Sequence, residues 1–221
     1  ALSYQKAGKY IQANDLFESI RGYKDVDNLI DEQKFDVEHQ QIKNAKVGDI
    51  ITFGECNDDT LEVNGPIEWI VLRKEEGKLN KKNARILLIS KEILTHKPYN
   101  TTANEITWEK STLREWLNTA FCQNVFNEEE YKWIRESVIE NNDNPLYKTS
   151  AGENTKDKVF LLSNYEVSAL LSSEISSDWW WLRTPGEQEN YAVRAFLTGY
   201  IQQNGVIVTE NGGVRPAMWV S

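Results

Sequence analysis

The sequence predicts a mixed α+β domain, with a twisted antiparallel sheet and flanking helices, preceded by a helical hairpin. Three observations carry this expectation. Apolar residues recur at helical spacing over the first forty residues and again around Leu113 and Val167. Short β-branched runs at 67–72 and 84–90 lie between turn residues. The last forty residues alternate in short runs punctuated by Pro185-Gly186, Asn204-Gly205 and Gly212-Gly213.

Residues 1–40 read as a helix pair. Ala7, Tyr10, Ala13, Leu16 and Phe17 share helical spacing, Gly22 supplies a stop, and Val26, Leu29, Ile30 and Phe35 line a second helix. One such pair cannot bury its own apolar face, so it is expected to pack on the following domain or on further repeats. The second unit spans 45–221. Its first strand covers 47–54, and 67–73 and 84–90 follow as a hairpin whose tip carries Gly77, Lys78, Lys81 and Lys82. The polar segment 56–65 reads as an exposed loop.

Ser111 caps a helix with Leu113, Trp116 and Leu117 on its apolar side. Asn127 with Glu130, and Ser163 with Glu166, have capping-box spacing. Tyr131, Ile134 and Val138 are expected to face inward behind the first box, and Val167 and Leu170-Leu171 behind the second. Between them, 141–158 reads as a polar loop broken by Pro145 and Gly152. The strand 179–184 is expected to end in a type II turn at Pro185-Gly186. In 191–197, Tyr191, Val193, Ala195 and Leu197 alternate with Arg194 and Phe196. Asn204-Gly205 predicts a hairpin turn, Asn211-Gly212-Gly213 a further turn, and Pro216 makes the last strand, 214–220, an edge or a bulged one.

Composition excludes some functions. A net charge of −9 without a concentrated basic face disfavours nucleic acid. No run is long and apolar enough to span a membrane, although an anchor could lie upstream of Ala1. Two distant cysteines, Cys56 and Cys122, and two histidines, His39 and His96, supply no zinc spacing. The cysteines are read as buried free thiols, or as one disulfide if the protein is exported. Oxygen ligands abound in 56–65 and 141–157, which leaves calcium open but without a motif, so no cofactor is predicted.

The motifs Ile67-Glu68-Trp69-Ile70-Val71-Leu72, Tyr99-Asn100, Trp108-Glu109-x-Ser111-x-Leu113-Arg114-x-Trp116-Leu117-Asn118, Asp157-Lys158-Val159-Phe160-Leu161-Leu162-Ser163, Trp180-Trp181-Leu182-Arg183-Thr184-Pro185-Gly186 and Gly213-Val214-Arg215-Pro216-Ala217 occur in that order. Together they resemble a bacterial domain family of unknown function, DUF6273. Thr184 stands where the family usually has Ser. The ending also resembles C-type-lectin-like domains, in the branch of the formylglycine-generating enzymes. The N-terminal pair resembles a tetratricopeptide-like repeat found ahead of many domains in Gram-positive bacteria.

The reactive C-terminal cysteine pair and the histidine cluster of that enzyme branch have no counterpart here, and no nucleophile elbow, phosphate loop or HExxH is present. The sequence therefore points to a non-enzymatic binding module, displayed outside the cytoplasm, that takes a glycan or protein ligand through loops near the C-terminal meander. Trp179, Trp181 and Arg194 are its candidate contacts, with Trp179 able to stack on a sugar ring. Trp180, Arg183, Gly186, Arg215 and Trp219 form a structural signature. Because a buried guanidinium needs partners, Arg183 and Arg215 are expected to meet carboxylates, with Asp157, Glu109 and Asp178 as candidates, or several carbonyls. The alternative is a structural or protein-interaction domain in which the helix pair makes the contacts.

Overall fold

A computed structural model describes residues 1–221 except Lys24, Asp58, 77–83, 171–177 and Leu197, and the side chains of Phe35 and 168–170. The expected Gly77 and lysine tip, Leu170-Leu171 and Leu197 lie outside the described residues. The architecture is α+β, with antiparallel sheets and flanking helices.

The N-terminal segment forms α1 (Leu2–Lys6), α2 (Tyr10–Glu18) and α3 (Val26–Asn44). Ala13 and Phe17 of α2 pack against Val26 and Ile30 of α3 in a small core of their own. The far end of α3 joins the main domain, where Ile42 and Ala45 enter the large core. Lys74 holds that end by donating from Nζ to the carbonyls of Lys43 (3.1 Å) and Ala45 (2.8 Å), a cation placed at the negative end of the helix.

The strands are β1 (Ile50–Cys56), β2 (Gly65–Glu75), β3 (Arg85–Ser90), β4 (Thr95–Lys97), β5 (Ile134–Arg135), β6 (Ser137–Ile139), β7 (Thr155–Asp157), β8 (Val159–Phe160), β9 (Trp179–Pro185), β10 (Tyr191–Phe196), β11 (Ile201–Ile207), β12 (Gly212–Val214) and β13 (Ala217–Val220). Among the described residues, β1-β2-β3-β13-β5 form one sheet, with β8 also on β13, and β11-β10-β9-β12-β4 form a second. A small pair, β6-β7, completes the set. The Trp179 and Val214 strands are neighbours in the second sheet, where Gly213 pairs with Trp180 in the one parallel match among the described residues.

The helical layer is α4 (Thr112–Trp116), a π-turn at Leu117–Phe121, α5 (Cys122–Val125), α6 (Glu128–Trp133) and α7 (Asn164–Leu170). Ser111 caps α4 by accepting from the Arg114 N–H, and Asn127 with Glu130 closes the full box on α6. α6 stops at Trp133 because Ile134 turns extended and starts a strand. Ile134 is buried as expected, but Tyr131 and Val138 are 38% and 64% exposed. The helical period read through Val138 does not apply to a chain that has become β5 and β6.

Four turn expectations change for physical reasons. The last stretch is two strands in two different sheets, with Arg215-Pro216 as the crossover. Pro216 has no N–H for a ladder, yet its carbonyl accepts from Ser90 (2.9 Å), and β13 runs through the interior of its sheet. Asn204-Gly205 is not a turn. Gly205 lies inside β11 at φ +66°, where the register between Ala192 and Arg194 slips, and a Cβ there would sit 2.2 Å from the Ala192 carbonyl oxygen. The reversal instead falls at Gly199, whose N–H bonds to Phe196 (2.9 Å). Gly186 does not take the positive φ that a type II turn requires; it is glycine because a Cβ would meet the Asn204 carbonyl and the Tyr191 Cβ at 2.6 Å. Finally, the 56–65 loop is not uniformly exposed, since Leu61 is buried in the main core.

Gly205→Ala combines left-handed strain with a backbone clash. It should cost roughly 1–3 kcal/mol, read as a lower denaturant midpoint with an unchanged slope.

Candidate functional site

Pairing of β9 with β10 decides which side chains meet. Phe196 lies opposite Trp179, Arg194 opposite Trp181, and Gln202 of β11 opposite Arg194. These five therefore share one face of the second sheet. Alternation along β9 sends Trp179 and Trp181 to one face and Trp180 to the other, and the register with β10 adds Arg194 to the first pair.

Trp181 does not reach the surface. It is fully buried, its indole N–H donates to the Lys97 carbonyl (2.9 Å), and its ring meets Tyr99 edge-on at 5.7 Å. Gly212 makes room for it, since a Cβ there would lie 2.6 Å from the indole nitrogen. As a direct ligand contact Trp181 is thus corrected to a support beneath Trp179, whose ring stands perpendicular to it at 4.9 Å. Trp179 itself is half-buried.

Arg194 lies across this aromatic floor. Its guanidinium carbon is 4.8 Å from the Trp179 ring centre and 5.2 Å from that of Phe196, and Nε donates to Gln202 Oε1 at 2.7 Å. Burial lowers the Arg194 pKa, while Glu210 opposes the shift; guanidinium basicity leaves the group charged. Phe196 packs on Tyr200 at 5.8 Å, and Tyr200 is 63% exposed. The result is an oriented cation among aromatics, ending in an exposed tyrosine. Phe196, Tyr200 and Gln202 were not singled out from sequence. The alternation across Arg194 and Phe196 was the available signal, but the unrecognised reversal at Gly199 hid Tyr200.

The signature residues are built differently. Trp180 is buried, and the Arg215 guanidinium lies 4.7 Å over its ring. Arg215 donates from Nε (3.0 Å) and Nη2 (2.7 Å) to the Ser90 carbonyl and from Nη2 to that of Lys91 (3.0 Å), so the expectation of several carbonyls holds. Arg183 pairs with Glu166, not with Asp157, Glu109 or Asp178, and also donates to the carbonyls of Leu161 (2.8 Å) and Glu140 (3.0 Å). Glu166 is reached because it closes the capping box of α7, accepting from the Ser163 N–H at 2.7 Å, which fixes its carboxylate beside β9. Trp219 is buried under the guanidinium groups of Arg85 (4.1 Å) and Arg73 (5.0 Å).

Asp157 serves a different cation. One oxygen accepts from Arg114 Nε (2.7 Å), and the other from the Trp108 indole (2.9 Å) and the Thr155 hydroxyl (2.7 Å). Asn118 adds a second clasp, accepting from the Val159 N–H and donating to the Val159 carbonyl. These bonds tie α4 and the π-turn to β7 and β8.

Cys56 and Cys122 are both buried free thiols. Burial pushes the Cys122 thiol up to about 12, and it donates to the Leu117 carbonyl, which leaves almost no thiolate at neutral pH. Among the described residues, no group of three or more His, Cys, Asp or Glu is placed to hold a metal, and no helix is long and apolar enough to cross a membrane.

No curated protein and no solved structure matches the chain. One family model does, over residues 83–221, which covers β3 to β13, the α4–α7 layer and every platform and signature residue above. The chain therefore belongs to the DUF6273 family, a domain of unknown function.

Proposed function

We propose that this domain is a non-enzymatic binding module, displayed outside the cytoplasm, that takes a protein ligand on the Trp179–Arg194–Phe196–Tyr200 face. The observation that carries the proposal is the Arg194 guanidinium, oriented by Trp179, Phe196 and Gln202 beside an exposed tyrosine. Tryptophan, tyrosine and arginine dominate the energetics of protein interfaces, and a side chain ordered in advance loses little entropy on binding. A guanidinium has five donors, and Gln202 engages one, so ligand carbonyls or carboxylates can use others. A protein is favoured over a glycan because Arg194 already covers the Trp179 ring on which a sugar would stack. The C-type-lectin-like reading of the fold belongs to this proposal and is supported by the shared sheet of the Trp179 and Val214 strands.

A second reading has its own observation. Leu16, Ile20 and Tyr23 are 44%, 48% and 60% exposed on the tetratricopeptide-like hairpin, so the partner surface could lie there instead. Arrays of extracellular proteins and glycans, probed with three forms of the protein, separate the readings. The Arg194→Ala/Tyr200→Ala form should stay folded and bind the captured protein at least about 30-fold more weakly, the loss of one interface hot spot. Leu16→Glu/Ile20→Glu should bind normally. Full affinity in the first form defeats the platform, loss in the second alone favours the helical surface, and capture of glycans only makes the ligand class wrong.

A further inference from the structure

Strand pairing in the first sheet gathers three arginines that lie far apart in sequence. Arg73 of β2 pairs with Leu87 of β3, Leu87 with Trp219 of β13, and Trp219 with Arg135 of β5. Directly paired residues share a face, and Arg85 joins it two positions from Leu87. Leu87 and Trp219 are buried and form the floor. The guanidinium groups of Arg85 and Arg73 lie over the Trp219 ring, and Arg135 donates from Nε to the Ser221 hydroxyl.

The domain leaves most of this charge without a partner. Among the described residues, Glu75 is the one carboxylate paired with these arginines: it accepts from Arg85 Nε at 2.8 Å and stands 3.8 Å from Arg73 Nε. Each guanidinium has five N–H donors. Among the described residues, Arg85 commits one to Glu75 and one to the Ser137 hydroxyl, Arg135 commits one to Ser221, and Arg73 commits none within hydrogen-bond distance. Stacking on the indole orders Arg73 and Arg85 in advance, and the donors left over form planar forks that match carboxylates.

We propose that this face docks an extended acidic segment of a partner protein, with Asp or Glu on alternate residues. From Arg73 to Arg135 the row crosses three strand spacings, about 14 Å, and three carboxylates on alternate residues of an extended chain span about 13 Å. Nucleic acid fits this face less well, because a net charge of −9 on the whole chain repels a long polyanion. The face belongs to the first sheet and uses no residue of the Trp179 platform on the second.

Fluorescence anisotropy of the full chain with a labelled peptide of alternating Glu and Ser tests this. The peptide should bind, and more weakly as salt rises from about 0.05 to about 0.3 M, because exposed charges are screened. Arg73→Gln/Arg135→Gln alters two exposed side chains; it should keep the wild-type melting temperature and bind about tenfold more weakly, the loss of two exposed ion pairs. Glu75→Gln removes the competing carboxylate and should tighten binding by about threefold. Arg21→Gln, which removes a cation between α2 and α3, should bind as wild type. Absence of binding, full affinity in the double arginine variant, unchanged or weaker binding in Glu75→Gln, or an equal loss in Arg21→Gln overturns the docking face. A single-stranded oligonucleotide or an alternating Lys-Ser peptide that binds as tightly as the acidic one overturns the ligand class.

Discussion

Asp157→Ala should be among the most destabilising single substitutions in the domain, at about 3–5 kcal/mol. The side chain is fully buried and accepts from Arg114, Trp108 and Thr155 at once. Removing it leaves the buried Trp108 indole N–H and the buried Thr155 hydroxyl without their acceptor and takes the carboxylate from Arg114, which keeps only the Glu109 and Lys156 carbonyls; stranded buried donors cost far more than an ordinary hydrogen bond contributes. For a chain of this size, 1 kcal/mol moves the melting temperature by roughly 2–4 °C, so a fall of about 6–20 °C is expected by circular dichroism. Asp157→Asn should fall between, because an amide keeps one acceptor but loses the charge that Arg114 requires. A shift under about 2 °C for the alanine variant would mean that the cluster reorganises freely, and that the clasp between α4 and β7 is unimportant.

Arg215→Ala should cost a similar amount, about 3–5 kcal/mol, by a different route. Arg215 sits at the crossover where the chain leaves β12 in one sheet and enters β13 in the other. Its guanidinium serves the Ser90 and Lys91 carbonyls at the end of β3 and covers the buried Trp180 ring. Truncation opens a cavity over an indole and loosens the junction of the two sheets. Arg215→Lys should recover less than half of the loss, since a point-charge ammonium cannot span two carbonyls as a planar fork does. Near-ultraviolet circular dichroism should register the disturbed tryptophan environment in the alanine variant.

Much of this was legible from local sequence. The caps at Ser111, Asn127 and Ser163 are local chemistry, and local chemistry survives folding. The need of Arg183 and Arg215 for partners was also legible, because burial of a guanidinium allows little else. Which partner Arg183 takes was not. Glu166 is placed by the geometry of its own capping box, and Asp157 is held by an arginine forty-three positions away. The turn readings failed for a related reason. Asn-Gly and Pro-Gly are strong local signals, but at Gly205 and Gly186 the glycine answers a neighbouring strand that leaves no space for a Cβ. The candidate platform was half legible. Residue type and alternation single out Trp179 and Arg194, but Trp181 lies one layer deeper, and only the hairpin register brings Phe196 and Tyr200 alongside.

The arginines of the C-terminal sheets divide into two kinds. Arg215, like Arg183, is bonded into the sheets, whereas Arg194 is the contact proposed for a partner. Side-by-side thermal melting of Arg194→Ala and Arg215→Ala tests it without any ligand. A loss of no more than about 1 kcal/mol is expected for Arg194→Ala, whose half-buried cation–aromatic contacts are individually modest, against several for Arg215→Ala. Equal losses, or a fold that tolerates Arg215→Ala and collapses with Arg194→Ala, would contradict it.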